Sequence, residues 1–192
     1  MSQSLRVLIL PGSSRTGSYN LQLARLAESL LREQGAEPLL RDLRALALPL
    51  YDGDLEASEG VPQGAHTLVS EMAAHDALLV VSPEYNAFPP PLLINAIDWA
   101  TRLPEHKPAM AGKPTALLSA SPGALGGIRS LLSLRSFLAL NPGLLVLPQQ
   151  FALNQAAQAF TPEGALRDAQ QQQRLQSVLS ALLRHARALR SA

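Results

Sequence analysis

The residues Gly12-Ser13-Ser14-Arg15-Thr16-Gly17-Ser18-Tyr19-Asn20 gather groups suited to gripping an anion. Ser13, Ser14, Thr16 and Ser18 offer hydroxyl donors, and Arg15 offers a planar fork that matches a phosphate. Gly12 and Gly17 permit tight turning and close approach of backbone to a ligand. Two familiar phosphate loops are excluded by spacing. Gly12 and Gly17 stand as far apart as the glycines of a P-loop, but Ser18 occupies the position that needs Lys. Ser14 and Tyr19 break the Gly-x-Gly-x-x-Gly dinucleotide fingerprint. The same Ser, Thr and Asn residues would equally turn the chain and cap a helix, and the loop alone does not separate these roles.

The flanking elements would aim that loop. Leu5 to Leu10 is a short apolar run that reads as a buried strand, and Leu21 to Leu31 repeats its apolar residues at helical spacing. A loop between strand and helix presents its N–H groups at the positive end of the helix dipole, where an anion is stabilised.

Further along, strands and helices alternate. Glu37 to Leu43 reads as a second strand, Leu46 to Asp52 as a loop, and the acidic, Gly-punctuated Asp52 to Gly64 as a surface loop. Gly64 to His75 patterns as a helix with Ala65, Leu68, Val69 and Met72 on one face. Asp76 to Ser82 is a continuous apolar run of the kind buried on both faces of a parallel sheet. A Pro-rich loop then leads to a helix from about Pro91 to Arg102. Thr115 to Ser119 is a fourth strand, Gly123 to Gly127 a turn, and Ile128 to Leu140 a helix broken by Asn141-Pro142-Gly143. Leu144 to Leu147 is a fifth strand, and Pro162 to Ala192 reads as one long amphipathic helix.

This alternation predicts an α/β fold, a doubly wound five-stranded parallel sheet with helices on both faces, formed by residues 1–192 as one domain. Ligands of such sheets bind beyond the C-terminal strand ends. The loops there are Gly12–Asn20, Ser82–Pro91 and Ala120–Gly127, the stretches richest in Gly, Ser, Pro and Asn. In the strand order 2-1-3-4-5 they would lie side by side.

Composition excludes several classes. The 192 residues are 47% hydrophobic with a formal net charge of +1, and charges are scattered, which argues against nucleic acid and membrane surfaces as partners. The chain has no cysteine, so disulfides, thiol nucleophiles and iron–sulfur ligation are excluded. The first apolar run begins too soon after Met1 for a signal peptide, and no run is long enough to span a membrane, so a cytoplasmic protein is expected. His66, His75, His106 and His185 lack metal-ligand spacing and are expected at the surface. Ser14 and Ser121 lack a nucleophile-elbow context. Trp99 suits core or interface packing; Arg102 and Arg129 suit either a ligand phosphate or a solvated helix face.

The Ser82-Pro83-Glu84-Tyr85-Asn86 stretch, followed by Leu93-Ile94-Asn95-Ala96-Ile97-Asp98-Trp99, sharpens the picture. Together with Gly12–Asn20 it resembles the NAD(P)H-dependent flavin mononucleotide (FMN) reductase family, which includes bacterial quinone, chromate and azo-dye reductases and has the flavodoxin-like fold. Leu48-Pro49-Leu50-Tyr51-Asp52, Gly126-Gly127-Ile128-Arg129, Leu134-Arg135 and Phe160 to Leu166 also match, so the resemblance runs from about residue 5 to 183.

The resemblance implies that Ser13, Arg15, Ser18 and Asn20 hold the FMN phosphate with Tyr19 beside them. It places Pro83, Glu84, Tyr85 and Asn86 along the isoalloxazine ring, and Ala120, Ser121 and Gly123 on the flavin's other side. It further implies NADPH or NADH as hydride donor, a small-molecule electron acceptor such as a quinone, and a homodimer or homotetramer. Hydride transfer through a flavin needs no side chain as general acid or base, so no catalytic residue is assigned. Two positions depart from the family pattern: Ile94 replaces the usual Lys, and Ala87-Phe88-Pro89-Pro90-Pro91 replaces a segment with a Pro-Gly pair, stiffening the backbone there. A one-electron carrier of the flavodoxin type is the alternative, but such carriers rely on acidic surfaces and usually lack an arginine at the phosphate. A flavin-free phosphate-binding module is the third reading.

Overall fold

A computed structural model describes residues 4–190. Five parallel strands form one sheet in the order β2-β1-β3-β4-β5: β1 (Arg6–Pro11), β2 (Glu37–Leu40), β3 (Ala77–Val81), β4 (Pro114–Ala120) and β5 (Leu145–Leu153). This is the expected flavodoxin-like order. Residues along β1, β3 and β4 are almost all buried, as both faces are covered. Alternation along each strand divides the core into two layers. Val7, Ile9, Leu79, Val81 and Leu118 face helices α1 (Tyr19–Glu33) and α8 (Ala169–Arg190). Leu8, Leu10, Leu78, Val80 and Leu117 face α3 (Gln63–Ala74), α4 (Pro91–Ala100) and α6 (Ile128–Leu140). Trp99 lies fully inside the second layer.

Several elements differ from expectation. The second strand stops at Leu40, and Leu43–Leu46 forms a 3-10 turn instead. The supposed surface loop at 52–64 contains α2 (Gly53–Glu59), because the Asp52 carboxylate accepts hydrogen bonds from the N–H groups of Asp54 and Leu55. Two further short helices appear, α5 (His106–Met110) and α7 (Ala156–Ala159). The last helix begins at Ala169, not Pro162, since Asp168 caps it through Gln170 and Gln171 while Phe160 and Leu166 bridge the preceding turn; Ser191 and Ala192 lie outside the described residues. The fifth strand runs well past Leu147. Its register against β4 jumps from Val146 opposite Thr115 to Gln150 opposite Leu117, so Leu147-Pro148-Gln149 bulges from the ladder. Arg135 of α6 spans that bulge, donating to the Val146 carbonyl at 3.1 Å and to Gln150 at 2.9 Å.

His75 and His106 are buried, not at the surface, and the Nδ1 of each ring meets a nearby carbonyl, Glu71 and Leu103 respectively, both at 2.6 Å. Burial, with the charges of Arg6 and Lys113, lowers the affinity of the His75 imidazole for a proton, and Asp76 only partly opposes them. No helix among the described residues is long and apolar enough to cross a membrane.

Candidate active site

The three loops at the C-terminal edge of the sheet meet. Gly12 donates its N–H to the Val81 carbonyl at 2.9 Å, so the first loop leaves β1 alongside the end of β3. A Cβ at Gly12 would stand 3.0 Å from Pro90 Cγ and 3.2 Å from Pro83 Cδ. A side chain here would crowd both prolines, so glycine lets the first loop pack closely against the second.

Within the first loop, Ser18 is buried and caps α1, its hydroxyl accepting from the Leu21 N–H at 3.3 Å. Ser18 also closes a turn onto the Arg15 carbonyl, followed by Gly17 in the left-handed region at φ 70°. Ser13 is buried, and among the described residues its hydroxyl has no hydrogen-bond partner. The backbone N–H groups of Ser13 to Gly17 likewise find no acceptor among the described residues. Arg15 is exposed, with only the Thr16 carbonyl as partner at 3.2 Å. Ser14 donates to Asp42 at 2.6 Å, tying the loop to the connection after β2.

Asn20 joins the first loop to the third. Its amide donates to the Ala120 carbonyl at 2.8 Å and accepts from the Ala120 N–H at 2.9 Å, deep in the protein. On β4, Leu118 pairs with Ser82 on the β3 side, so Ala120 points the same way just beyond the end of β3. The side chain of Asn20 thus replaces the missing strand. Tyr19 is half-buried against the core layer of α1 and α8.

The second loop is braced from α6. The Glu84 carboxylate accepts from the backbone N–H groups of Arg129 at 3.1 Å and Ser130 at 3.2 Å and from the Arg129 guanidinium, whose Nε lies at 2.8 Å. Burial alone would raise its proton affinity, but Arg129 and the helix N–H groups outweigh it and hold the carboxyl below its ordinary range. Ser82 and Ser130 both donate to the buried Pro83 carbonyl, at 2.9 and 3.0 Å. Tyr85 and Phe88 then exchange backbone hydrogen bonds of 2.9 and 3.0 Å around Asn86 and Ala87, at φ 52° and 64°, a tight hairpin.

The third loop packs on β5. Ser121 takes the Gly123 N–H on its hydroxyl at 3.2 Å and donates its own N–H to Leu153. Gly126, at φ 62°, lies against the backbone of Ala152, Leu153 and Asn154, where a Cβ would approach within 2.9 Å.

Sequence reasoning missed four supports, because their partners lie far apart in the chain: Asn20 on Ala120, Glu84 on α6, Ser14 on Asp42, and a clasp on α4. In that clasp Asn95 and Trp99 both donate to the Pro49 carbonyl, at 2.8 and 2.7 Å, and Asn95 accepts from the Tyr51 N–H at 2.8 Å. Arg102 sits over the Tyr51 ring and donates to its hydroxyl, while Arg129 is bound to Glu84, so neither has a bare solvated role. Among the described residues no cluster of His, Asp or Glu could hold a metal ion.

A family model for NADPH-dependent FMN reductase matches residues 5–158. A quinone reductase of Escherichia coli K12 is 36% identical over 154 residues, which is 79% of this chain and 78% of the relative. An NAD(P)H-dependent FMN reductase of Pseudomonas aeruginosa is 37% identical over 194 residues, spanning 99% of this chain and 100% of the relative. The solved structure of FerB, a flavoenzyme NAD(P)H:(acceptor) oxidoreductase from Paracoccus denitrificans, matches with a TM-score of 0.83 at 29% identity over 96% of this chain and 98% of that one. Likeness of this extent, on a fold whose three site loops are tied together, means that the chain belongs to the NADPH-dependent FMN reductase family.

Proposed function

We propose that this protein is an FMN-dependent NAD(P)H oxidoreductase that passes hydride from NADPH or NADH through the flavin to quinones or similar small acceptors, free flavin, azo compounds and chromate among them. The observation that carries this reading is the first loop. The Ser13 hydroxyl and the N–H groups of Ser13 to Gly17, all without a protein partner among the described residues, and the exposed Arg15, whose one partner is the Thr16 carbonyl, together form a set of available donors at the positive end of α1. That set fits a phosphate dianion.

FMN, when bound, supplies a two-electron relay between nicotinamide and acceptor. Ser13, Arg15 and Ser18 hold the phosphate in this reading, with Tyr19 beside it. Asn20, expected at the phosphate, instead has its amide bound to Ala120; it spaces the loop from Ala120, Ser121 and Gly123, which would close the other side of the flavin. Pro83, Glu84, Tyr85 and Asn86 would lie along the isoalloxazine, where the backbone N–H groups of Glu84 and Asn86 would favour charge developing on the ring. The Glu84 charge is spent on Arg129 and α6, so it holds the loop and moves no proton. Residues 1–192 act as one domain, assembled as a homodimer or homotetramer in the cytoplasm.

The test is direct. The purified protein should carry a yellow chromophore released as FMN, and it should consume NADPH rapidly with menadione. A yellow protein that leaves NADPH untouched would be an electron carrier instead. Arg15→Ala should weaken FMN binding about ten-fold or more, the worth of one charge-assisted hydrogen bond. Unchanged affinity would remove Arg15 from the phosphate site.

A further inference from the structure

We infer that Ser130, with Ser82 beside it, is a positioning residue. It fixes which way the peptide between Pro83 and Glu84 faces, and through that peptide how strongly the site favours reduced over oxidised FMN; this rests on the functional reading above and deepens it. Both serines are fully buried. Their hydroxyls donate to the same Pro83 carbonyl, Ser130 at 3.0 Å and Ser82 at 2.9 Å, and the two hydroxyl oxygens lie 3.2 Å apart. A carbonyl oxygen has two lone pairs and each hydroxyl one proton, so the arrangement uses them all. One hydroxyl would satisfy the carbonyl; the second makes its direction hard to change.

Ser130 holds the next residue as well. Its N–H donates to the Glu84 carboxylate at 3.2 Å, beside the Arg129 N–H at 3.1 Å, in the first turn of α6. The Pro83 carbonyl and the Glu84 side chain are thus both fastened to that turn. The peptide joining the two residues is trans, so its C=O and N–H point in opposite directions. With the carbonyl drawn to Ser130, the Glu84 N–H is turned away from α6, and it finds no acceptor among the described residues. Rotated the other way, the peptide would lose both hydroxyl bonds and turn its N–H toward the positive end of a helix.

Under the functional reading, that outward N–H faces the isoalloxazine. A hydride carries one proton and two electrons, so a ring that accepts one gains one net negative charge. A fixed N–H dipole stabilises that charge and so favours reduced FMN over oxidised FMN. An outward carbonyl would do the opposite. Ser130, buried beneath the loop, acts only by denying the peptide its second orientation.

The experiment measures, without oxygen, the dissociation constants of oxidised and dithionite-reduced FMN, and the midpoint potential of the bound flavin. The wild type is compared with Ser130→Ala and Ser82→Ala, and the unfolding of each flavin-free protein is recorded. Ser130→Ala should lower the preference for reduced FMN about ten-fold, the worth of one hydrogen bond to a charged group. The two-electron potential should fall by about 30 mV to match. Ser82→Ala should shift it in the same direction. A serine that merely braces the loop would weaken both oxidation states equally and leave the potential where it was. An unchanged or raised potential in Ser130→Ala therefore overturns the inference and leaves the enzyme reading standing. If Ser130→Ala does not fold, Ser130→Cys, close in volume with a weaker donor, is measured in its place and judged the same way. A wild-type protein that binds FMN in neither state refutes the functional reading beneath it.

Discussion

Replacing Asn20 by Ala tests how the site is held together. The substitution removes both hydrogen bonds to Ala120 and leaves its N–H and carbonyl buried, since Asn20 and Ala120 are each about 4% exposed. Each abandoned buried group costs about 1–3 kcal/mol, so the variant should lose about 2–6 kcal/mol. For a chain of this size that lowers the melting temperature by roughly 5–20 °C. Asn20→Asp should be similarly unstable at neutral pH, because it keeps an acceptor for the Ala120 N–H but turns a carboxylate toward the Ala120 carbonyl. Acid should restore part of that loss by protonating the carboxylate. The assay is urea and thermal unfolding of flavin-free protein, repeated with FMN in excess. If Asn20→Ala unfolds like the wild type without flavin and differs only in FMN affinity, then Asn20 acts on the ligand and the clamp contributes nothing.

Other consequences can be measured as simply. Ala87→Gly should stabilise the protein by about 1 kcal/mol, because Ala87 sits at φ 64°, where a Cβ is strained; a lower melting temperature would refute this. Glu84 binds protons less readily folded than unfolded, so it stabilises the fold above the ordinary carboxylate range and that contribution fades as acid protonates it. Stability of Glu84→Gln should therefore depend less on pH at the acid end than that of the wild type. His75 takes up a proton less readily folded than unfolded, so above its ordinary range nothing changes, while below it the unfolded state takes up a proton first and stability falls. That decline, followed by denaturant unfolding between neutral and mildly acid pH, should flatten in His75→Gln. Gly12→Ala should impair FMN retention, since its Cβ would press on Pro83 and Pro90; normal retention would show that the two loops can part.

Much of this molecule could be read from local pattern. The unbroken apolar runs of β3 and β4 mark a parallel sheet, and the glycine-rich and hydroxyl-rich stretches mark the loops at its C-terminal edge. What stayed hidden depended on partners distant in sequence. The chain near Asn20 resembles any helix start, and the target of its amide lies 100 residues on. Nothing around Glu84 announces that its carboxylate will crown a helix beginning at residue 128. The apolar pattern of β5 stops at Leu147, before Pro148, whereas the fold carries the strand on by absorbing that proline in a bulge. At 52–64 the acidic composition masked a helix that needed only the carboxylate of Asp52 to start.

That bulge has a consequence for what the margin of the sheet can accept. Exposed strand margins invite foreign chains to add on, and proteins blunt them with proline, irregular ladders or brevity. Here Pro148 interrupts the outer rim on one side, with Arg135 already occupying the Val146 carbonyl, and the opposite rim is the four-residue β2. Neither margin is a good template for another strand. Any association between copies would therefore go through helices and loops, and the sheet would not grow into a polymer.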